Sequence, residues 1–401
     1  FPQWLPDGES FIYVAVGRTG SSVGSDSVLR ISTPENPHGR DLMPCQTSAV
    51  YEDGQILFIH DSILMARAFD VATGEFTAAA EPMIGGVLSI PAAHLSVISA
   101  SRGAHVLAYS AGTEQSIGSS ILVRHDPETG VEEFLGEPLL TYGFDVHPDG
   151  SKVLLALPDA RNGTFDIWTL EVERNLMSRF TFEAESELLP LYGPKGEWVY
   201  YSSDSEGRSN IHRRRASGVG DPELLFPSKF DCLPSSFSPD GGLLAYTAVD
   251  STGKFFIEFV DIETRETRRP HEQASYAEGA TTFSPDGKWM SFISDETGDP
   301  QIFVESMTVG GGRYRVSSEG GYFPIWSSSG DVLYYLAPNG EIKAVEVFSN
   351  PSGGLSFGAE TLVTDRVETA DWSTIKIDRS TGNLVVLRST QGQQKSLLSL
   401  V

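Results

Sequence analysis

The chain has 401 residues with 40 Gly, 23 Pro, 40% hydrophobic, 10% aromatic and 21% charged residues, a balance that favours short strands and tight turns and excludes a coiled coil or helical bundle. Its 29 Lys and Arg stand against 54 Asp and Glu, a formal charge of −25, and so acidic a surface repels a phosphate backbone and excludes DNA and RNA as partners. No apolar run reaches the roughly 18 residues of a membrane span, and Cys45 and Cys232 form neither a disulfide framework nor a zinc spacing, although one long-range bridge stays open.

In chain order, one phrase recurs. It reads Leu5-Pro-Asp-Gly8, Tyr51-Glu-Asp-Gly54, a degenerate Ala100-Ser-Arg-Gly103, Val146-His-Pro-Asp-Gly150 and Tyr192-Gly-Pro-Lys-Gly196. It continues as Phe237-Ser-Pro-Asp-Gly241, Phe283-Ser-Pro-Asp-Gly287, Trp326-Ser-Ser-Ser-Gly330 and a degenerate Asp378-Arg-Ser-Thr-Gly382. The turn glycines are spaced 43 to 52 residues apart and cover the chain almost end to end. In each unit a short apolar strand enters the turn, where Pro fixes φ and Gly accepts φ > 0, and an aromatic or β-branched strand returns. After a polar loop come a third strand, such as Gln301 to Ser306, and a fourth, such as Tyr314 to Ser317. Four strands in some 46 residues predict an all-β fold, a β-propeller of about eight (seven to nine) four-stranded antiparallel blades. Stretches such as 199–203 and 332–336 are too short and too β-rich for a helical solenoid of similar period. The expectation is a single domain over 1–401, with units at 1–46, 47–93, 94–141, 142–187, 188–231, 232–278, 279–322, 323–371 and 372–401. The ninth has room for about three strands, and the start at Phe1 instead of Met reads as a processed or excised portion of something longer.

On these turns, and on the loop phrases 294–304 and 202–211, the sequence resembles the propeller family of the periplasmic protein TolB. A narrower resemblance rests on 1–13, 63–70, 165–170 with 178–182, and 332–347. These segments are similar to the extracytoplasmic propeller region that follows the kinase domain and membrane helix of many bacterial serine/threonine protein kinases. That resemblance implies a non-catalytic sensor or interaction region on the periplasmic or extracellular side of a bacterial membrane. The kinase itself is not in this chain, which carries no Gly-rich phosphate loop, Val-Ala-Ile-Lys or His-Arg-Asp segment. Arg102-Gly103 and Lys195-Gly196 depart from the pattern, the turn Asp being replaced. The alternative is the substrate-gating propeller of a prolyl-oligopeptidase-like peptidase, whose hydrolase domain is absent here.

No constellation of residues points to catalysis. The only Gly-x-Ser-x-Gly, Gly20 to Gly24 around Ser22, has polar loop flanks and no helix to form a nucleophile elbow. The carboxylate groups Asp295/Glu296/Asp299, Asp204/Glu206 and Glu183/Glu185/Glu187 lack EF-hand spacing, and the eight histidines show no metal-ligand pattern, so no metal or cofactor is expected. The turn aspartates Asp7, Asp53, Asp149, Asp240 and Asp286 are read as architectural, each accepting a backbone N–H two residues on. Arg213-Arg214-Arg215, the one basic run, reads as local surface charge. What remains is the channel on which innermost strands converge. The segments leading into those strands supply Phe1, Trp4, Tyr142, Phe144, Glu187, Asp231, Glu278, Tyr322, Phe323 and Trp372. Aromatics beside carboxylates suit a peptide, protein or small-molecule ligand at the channel mouth.

Overall fold

The computed structural model describes residues 2–15, 27–45, 49–60, 63–85, 89–90, 95–96, 98–101, 106–110, 120–159, 163–205, 207–308, 310–351, 353–364, 367, 375–389 and 398–400. Every regular element among them is a strand, nearly all paired antiparallel in four-stranded meanders, and the fold is a β-propeller. Where one domain was expected, the chain divides into two compact units: Phe1–Ser119 with Pro158–Thr164 and Gln391–Val401, and Ser120–Leu157 with Phe165–Thr390.

The second unit holds six sheets, labelled here I to VI. Blade II comprises Phe144–Val146, Lys152–Pro158, Phe165–Glu171 and Leu176–Arg179, and blade III Glu187–Tyr192, Trp198–Ser203, Asn210–Arg215 and Glu223–Leu224. Blade IV comprises Asp231–Phe237, Leu243–Val249, Phe255–Asp261 and Thr267–Arg268, and blade V Glu278–Phe283, Trp289–Ser294, Gln301–Ser306 and Arg313–Arg315. Blade VI has Tyr322–Trp326, Val332–Leu336 and Ile342–Ser349, the last paired with both Leu355–Phe357 and Thr361–Thr364. Blade I is a hybrid, in the order Glu132–Leu139, Ser120–His125, Leu384–Ser389, Ile375–Ile377, so its two inner strands come from the far end of the unit. Each innermost strand contacts the next, and Ile375–Ile377 touches both Phe144–Val146 and Tyr322–Trp326, which closes a ring of six.

The count of about eight is met in a different sense from the one expected. Eight sheets of four or five strands stand among the described residues, but six of them close the ring. The difference arises at the expected units 94–141 and 372–401, whose strands do not stay together. Ser120–His125 and Glu132–Leu139 leave the first of these to complete Ile375–Ile377 and Leu384–Ser389, while Ile98–Ser101 and Val106–Ser110 pair with Leu398–Leu400. A repeat period cannot reveal such an exchange, because each half keeps its own strand pattern.

Apolar side chains cluster between successive blades: Tyr200, Ile211 and Leu225 of blade III with Phe237, Leu244 and Tyr246 of blade IV, for example, and Ile302 and Val304 of blade V with Trp326, Leu333 and Tyr335 of blade VI. A blade therefore has no core of its own, and burial of its faces depends on its neighbours. The first unit contains two full sheets, Gln3–Trp4 to Asn36–Pro44 and Val50–Glu52 to Glu81–Gly85, around a core that includes Leu5, Ile12, Leu29, Ile56 and Phe69. There Gln3 ties the sheets together, its amide accepting the Tyr51 N–H at 2.6 Å and donating to the Tyr51 carbonyl at 3.2 Å. Both cysteines are buried thiols, so the bridge left open by the sequence is not made. No helix of the described residues is long and apolar enough to cross a membrane.

Candidate functional site

Four of the five turn aspartates pin the ends of the hairpins as expected. Asp7, Asp149, Asp240 and Asp286 accept the N–H of Glu9, Ser151, Gly242 and Lys288 at 3.1, 2.9, 3.0 and 3.1 Å. Hydrogen bonds from the Ser151 hydroxyl and N–H, together with His147, hold the Asp149 carboxyl down at about 2. Around them the turns of blades II to VI nest on the turn of the preceding blade, which faces Gly150, Gly196, Gly241, Gly287 and Gly330.

Inside the turns the innermost strands carry a repeated irregularity. Leu189, Ala280 and Phe323 have φ of 52°, 51° and 51°, in the left-handed region that disfavours residues bearing a β-carbon. Each stands seven residues before its turn glycine, as do Gly143 with φ 157° and Pro234, whose ring forbids that conformation. The ladder register slips at the same place, between Leu188 and Leu191, Gly279 and Thr282, and Tyr322 and Ile325, and in blade IV between Pro234 and Ser236. These are β-bulges, which re-aim the backbone of a strand. Here they press Leu189, Pro190, Pro234, Ala280, Thr281, Phe323 and Pro324 toward the axis, leaving a constriction of about 60 Å³.

On the turn side of the constriction the channel opens into a cavity of about 400 Å³ to which all six blades contribute. Its walls are aromatic (Tyr192, Phe237, Phe283, Trp326), proline (Pro148, Pro194, Pro239, Pro285) and hydroxyl (Ser235, Ser236, Thr282, Ser327, Ser328). Three charged residues line it: Asp145, Lys376 and Arg379. Lys376 pairs with Asp145 at 3.3 Å, and the other oxygen of Asp145 accepts the Tyr192 N–H at 2.8 Å. Such a space admits a short chain segment or a small molecule, gripped by apolar surface and oriented by a few polar groups.

The residues expected at the channel mouth are differently distributed. Phe323 lines the constriction, and Tyr322 beside it is half-buried with ring centroids 6.3 Å apart. Tyr142 packs edge-on against Phe165 at 4.6 Å, and Phe144 is fully buried between blades with Val153 and Leu155. Glu187, Asp231 and Glu278 share one position, the first residue of an innermost strand, and turn toward the preceding blade. Asp231 accepts the Ser209 N–H at 3.1 Å, and Glu278 accepts the Ile257 N–H at 3.5 Å and contacts His271 at 2.7 Å. Neither oxygen of the buried Glu187 has a hydrogen-bond partner of good geometry among the described residues. Burial, opposed by the nearby Thr181 hydroxyl and reinforced by Glu183, Asp166 and Asp204, pushes its carboxyl up to about 8. Trp4 belongs to the first unit and stacks edge-on with Phe11 at 5.3 Å. Phe1, Ser22, the Arg102-Gly103 turn and Trp372 lie outside the described residues. Sequence reasoning missed the cavity residues, above all Asp145, Tyr192, Lys376 and Arg379. The usable signal was the turn phrase itself, because its proline and the aromatic before it form the wall.

The arginine run is neutralised locally. Arg213 pairs with Glu223 at 2.8 Å, Arg214 with Glu183 at 3.7 Å, and Arg213 and Arg215 both lie against the Trp198 ring at 4.3 and 4.4 Å. Among the described residues no group of three or more His, Cys, Asp or Glu is arranged to hold a metal ion.

Comparison with known proteins gives one family model, described as TolB beta propeller domain, matching residues 223–398. A curated relative from Agrobacterium fabrum (strain C58), described as an uncharacterized protein, is 23% identical over 143 residues, which is 36% of this chain and 48% of that protein. The chain thus spans about half the length of that relative. The solved structure of putative TolB from Agrobacterium tumefaciens superposes with a TM-score of 0.51 at 19% identity, covering 68% of this chain and 98% of the other. TolB from Acinetobacter baumannii gives 0.43 at 17% identity over 86% of this chain and 79% of its own.

Proposed function

We propose that this TolB-like β-propeller is a non-catalytic binding domain, and that it takes a peptide, a protein segment or a small molecule in the turn-side cavity of its six-bladed ring. The observation that carries this reading is the convergence of all six blades on one cavity of about 400 Å³ with aromatic and proline walls and few charges. Bulges at repeated positions support it, since backbone strain recurring around one axis is the pattern of a maintained site. The resemblance to kinase-linked propellers supports a finer reading, a sensor or interaction region outside the bacterial cytoplasm. The same resemblance keeps protein segments ahead of metabolites as ligands.

The test is occlusion. Ser235 lines both the cavity and the constriction, so Ser235→Trp fills the channel from inside without touching the outer surface. A panel of short peptides and small acids is screened for binding to the native chain, and each hit is repeated on the variant. Hits lost on Ser235→Trp support the cavity, whereas hits retained at full strength place binding elsewhere and sink the reading. Sequencing the native gene upstream of Phe1 tests the finer reading, and a gene without kinase and membrane helix there counts against it.

A further inference from the structure

The collar of turns around the cavity is closed at five junctions and open at the sixth. A β-carbon built on Gly241, Gly287 or Gly330 would come within 3.3, 3.6 or 3.2 Å of Pro194, Pro239 or Pro285 of the preceding blade. Gly196 abuts the His147 ring, and Gly150 abuts Ser380 and Asp378. Between blades VI and I the pattern fails. Ser328 stands where blades II to V carry Pro148, Pro194, Pro239 and Pro285, and among the described residues nothing lies within 4 Å of the same position on Gly382.

Two unsatisfied donors belong to this part of the ring. Arg379, in the turn of blade I, is exposed, lines the cavity together with Ser327 and Ser328, and has no ion-pair or hydrogen-bond partner among the described residues. The other cation, Lys376, is held by Asp145. Trp326 of blade VI, 5% exposed, also lines the cavity, and its indole N–H meets no acceptor among the described residues. A buried N–H without an acceptor is costly, and an arginine with no partner beside an apolar wall is suited to a planar oxyanion, which it can bind through two parallel hydrogen bonds. In a chain of net charge −25, an uncompensated cation at a cavity is also a local reversal of the field.

Resting on the cavity reading above, we infer that the gap between blades VI and I seats a terminal carboxylate on Arg379, carried by the apolar C-terminal end of an extended peptide whose last side chains lie against Phe237, Phe283 and Trp326. The cavity volume suits a few residues of extended chain and excludes a folded domain. Aromatic and proline walls favour an apolar stem over a sugar.

The experiment uses the whole chain and the tripeptide Ala-Leu-Phe as free acid and as C-terminal amide, with acetate and inorganic phosphate as competitors, read by calorimetry and by tryptophan fluorescence. The acid is expected to bind about tenfold or more tightly than the amide, as a charge-assisted bond to a single guanidinium implies. Arg379→Ala, at an exposed position that leaves the core intact, brings the acid down to the amide; Arg379→Lys recovers part of the difference; rising salt narrows it. Equal binding of acid and amide, an unchanged difference in Arg379→Ala, no binding of either peptide at millimolar concentration, or displacement by phosphate as effective as by the acid would each overturn the inference. If acid and amide bind equally and both are lost on Ser235→Trp, the carboxylate seat falls and the cavity reading stands. If the peptides bind and Ser235→Trp changes nothing, the cavity reading falls as well.

Discussion

Blades IV and V, built on identical Phe-Ser-Pro-Asp-Gly turns, and the closure formed by blades VI and I solve the same packing problem by different means. In IV and V the serine of the turn donates to the turn aspartate, Ser238 to Asp240 at 2.6 Å and Ser284 to Asp286 at 2.7 Å, and glycine meshes with the preceding proline. At the closure the turn of blade VI has lost Pro and Asp, and Ser327 donates instead to Asp331 at 2.9 Å, beyond the turn. Blade I is held by charge: fully buried Asp378 pairs with Arg124 at 2.9 Å, Arg124 also with Glu133 at 2.6 Å, and Lys376 with Asp145. Where the chain is continuous from blade to blade, short-range contacts at the exposed turns suffice. Where two distant segments must find each other, buried opposite charges fix the register at the cost of desolvation.

That contrast can be broken most severely at Asp378. Asp378→Ala leaves Arg124 half-enclosed without its buried partner and is expected to cost about 3–5 kcal/mol, against no more than about 1 kcal/mol for Asp240→Ala on the regular side. Urea unfolding of the two variants reads the difference, and equal losses would dissolve the distinction. Next in size is Glu187, where the regular side departs from its own rule. Its carboxyl is raised from 4.5 to about 8 in the folded chain, so stability is fully present below about pH 4.5 and is lost as pH rises through 8. Glu187→Gln removes that loss and should gain about 2 kcal/mol at pH 7 while changing little near pH 4.

At the equivalent position in blade V the buried Glu278 has a partner, the His271 ring at 2.7 Å. Although burial lowers it, His271 is carried up to about 9 by hydrogen bonds to Glu278 and Glu305 and by their charges. Arg313, which pairs with Glu305 at 2.7 Å and Glu296 at 2.6 Å, faces the same cluster. The contribution of His271 is complete below about pH 6.5 and is lost as pH rises through 9, so His271→Gln should cost about 1–2 kcal/mol at pH 6 and little above pH 9.5. Denaturant titrations across that range check it. The smallest expected difference separates two turn glycines: Gly241→Ala meets both a left-handed φ of 76° and Pro194, Gly382→Ala only a φ of 82°. Costs of about 2 and about 1 kcal/mol follow, and thermal unfolding orders them.

Most of the propeller was legible in the sequence because its turns are built from residues with strong local preferences. Pro-Asp-Gly declares a turn wherever it stands, and the strands of blades II to V follow from the phrases around it. Ring closure was not legible, because pairing of Ser120–His125 with Leu384–Ser389 depends on contacts between segments more than two hundred residues apart, and neither segment differs in pattern from any other strand. The candidate site was legible only as a location. Counting toward the leading ends of the innermost strands identified Glu187, Asp231 and Glu278, the last two of which tie neighbouring blades, whereas the cavity lies at the other end, beyond bulges at Leu189, Ala280 and Phe323 that no residue preference announces. Lys376 and Arg379 sit in the most degenerate copy of the repeat, where the phrase itself gave the least guidance.

The hybrid blade has a mechanical consequence. Ser120, where the chain enters the ring, is paired with Ser389, where it leaves, and the ladder then runs inward to His125 and Leu384. Force applied between these two points loads the outermost pair first and the others only in succession, as a zip opens tooth by tooth, instead of shearing all the hydrogen bonds at once. The ring is thus weak to a pull applied at Ser120 and Ser389. A tug along the backbone would release blade I while leaving the continuous blades II to V folded against one another.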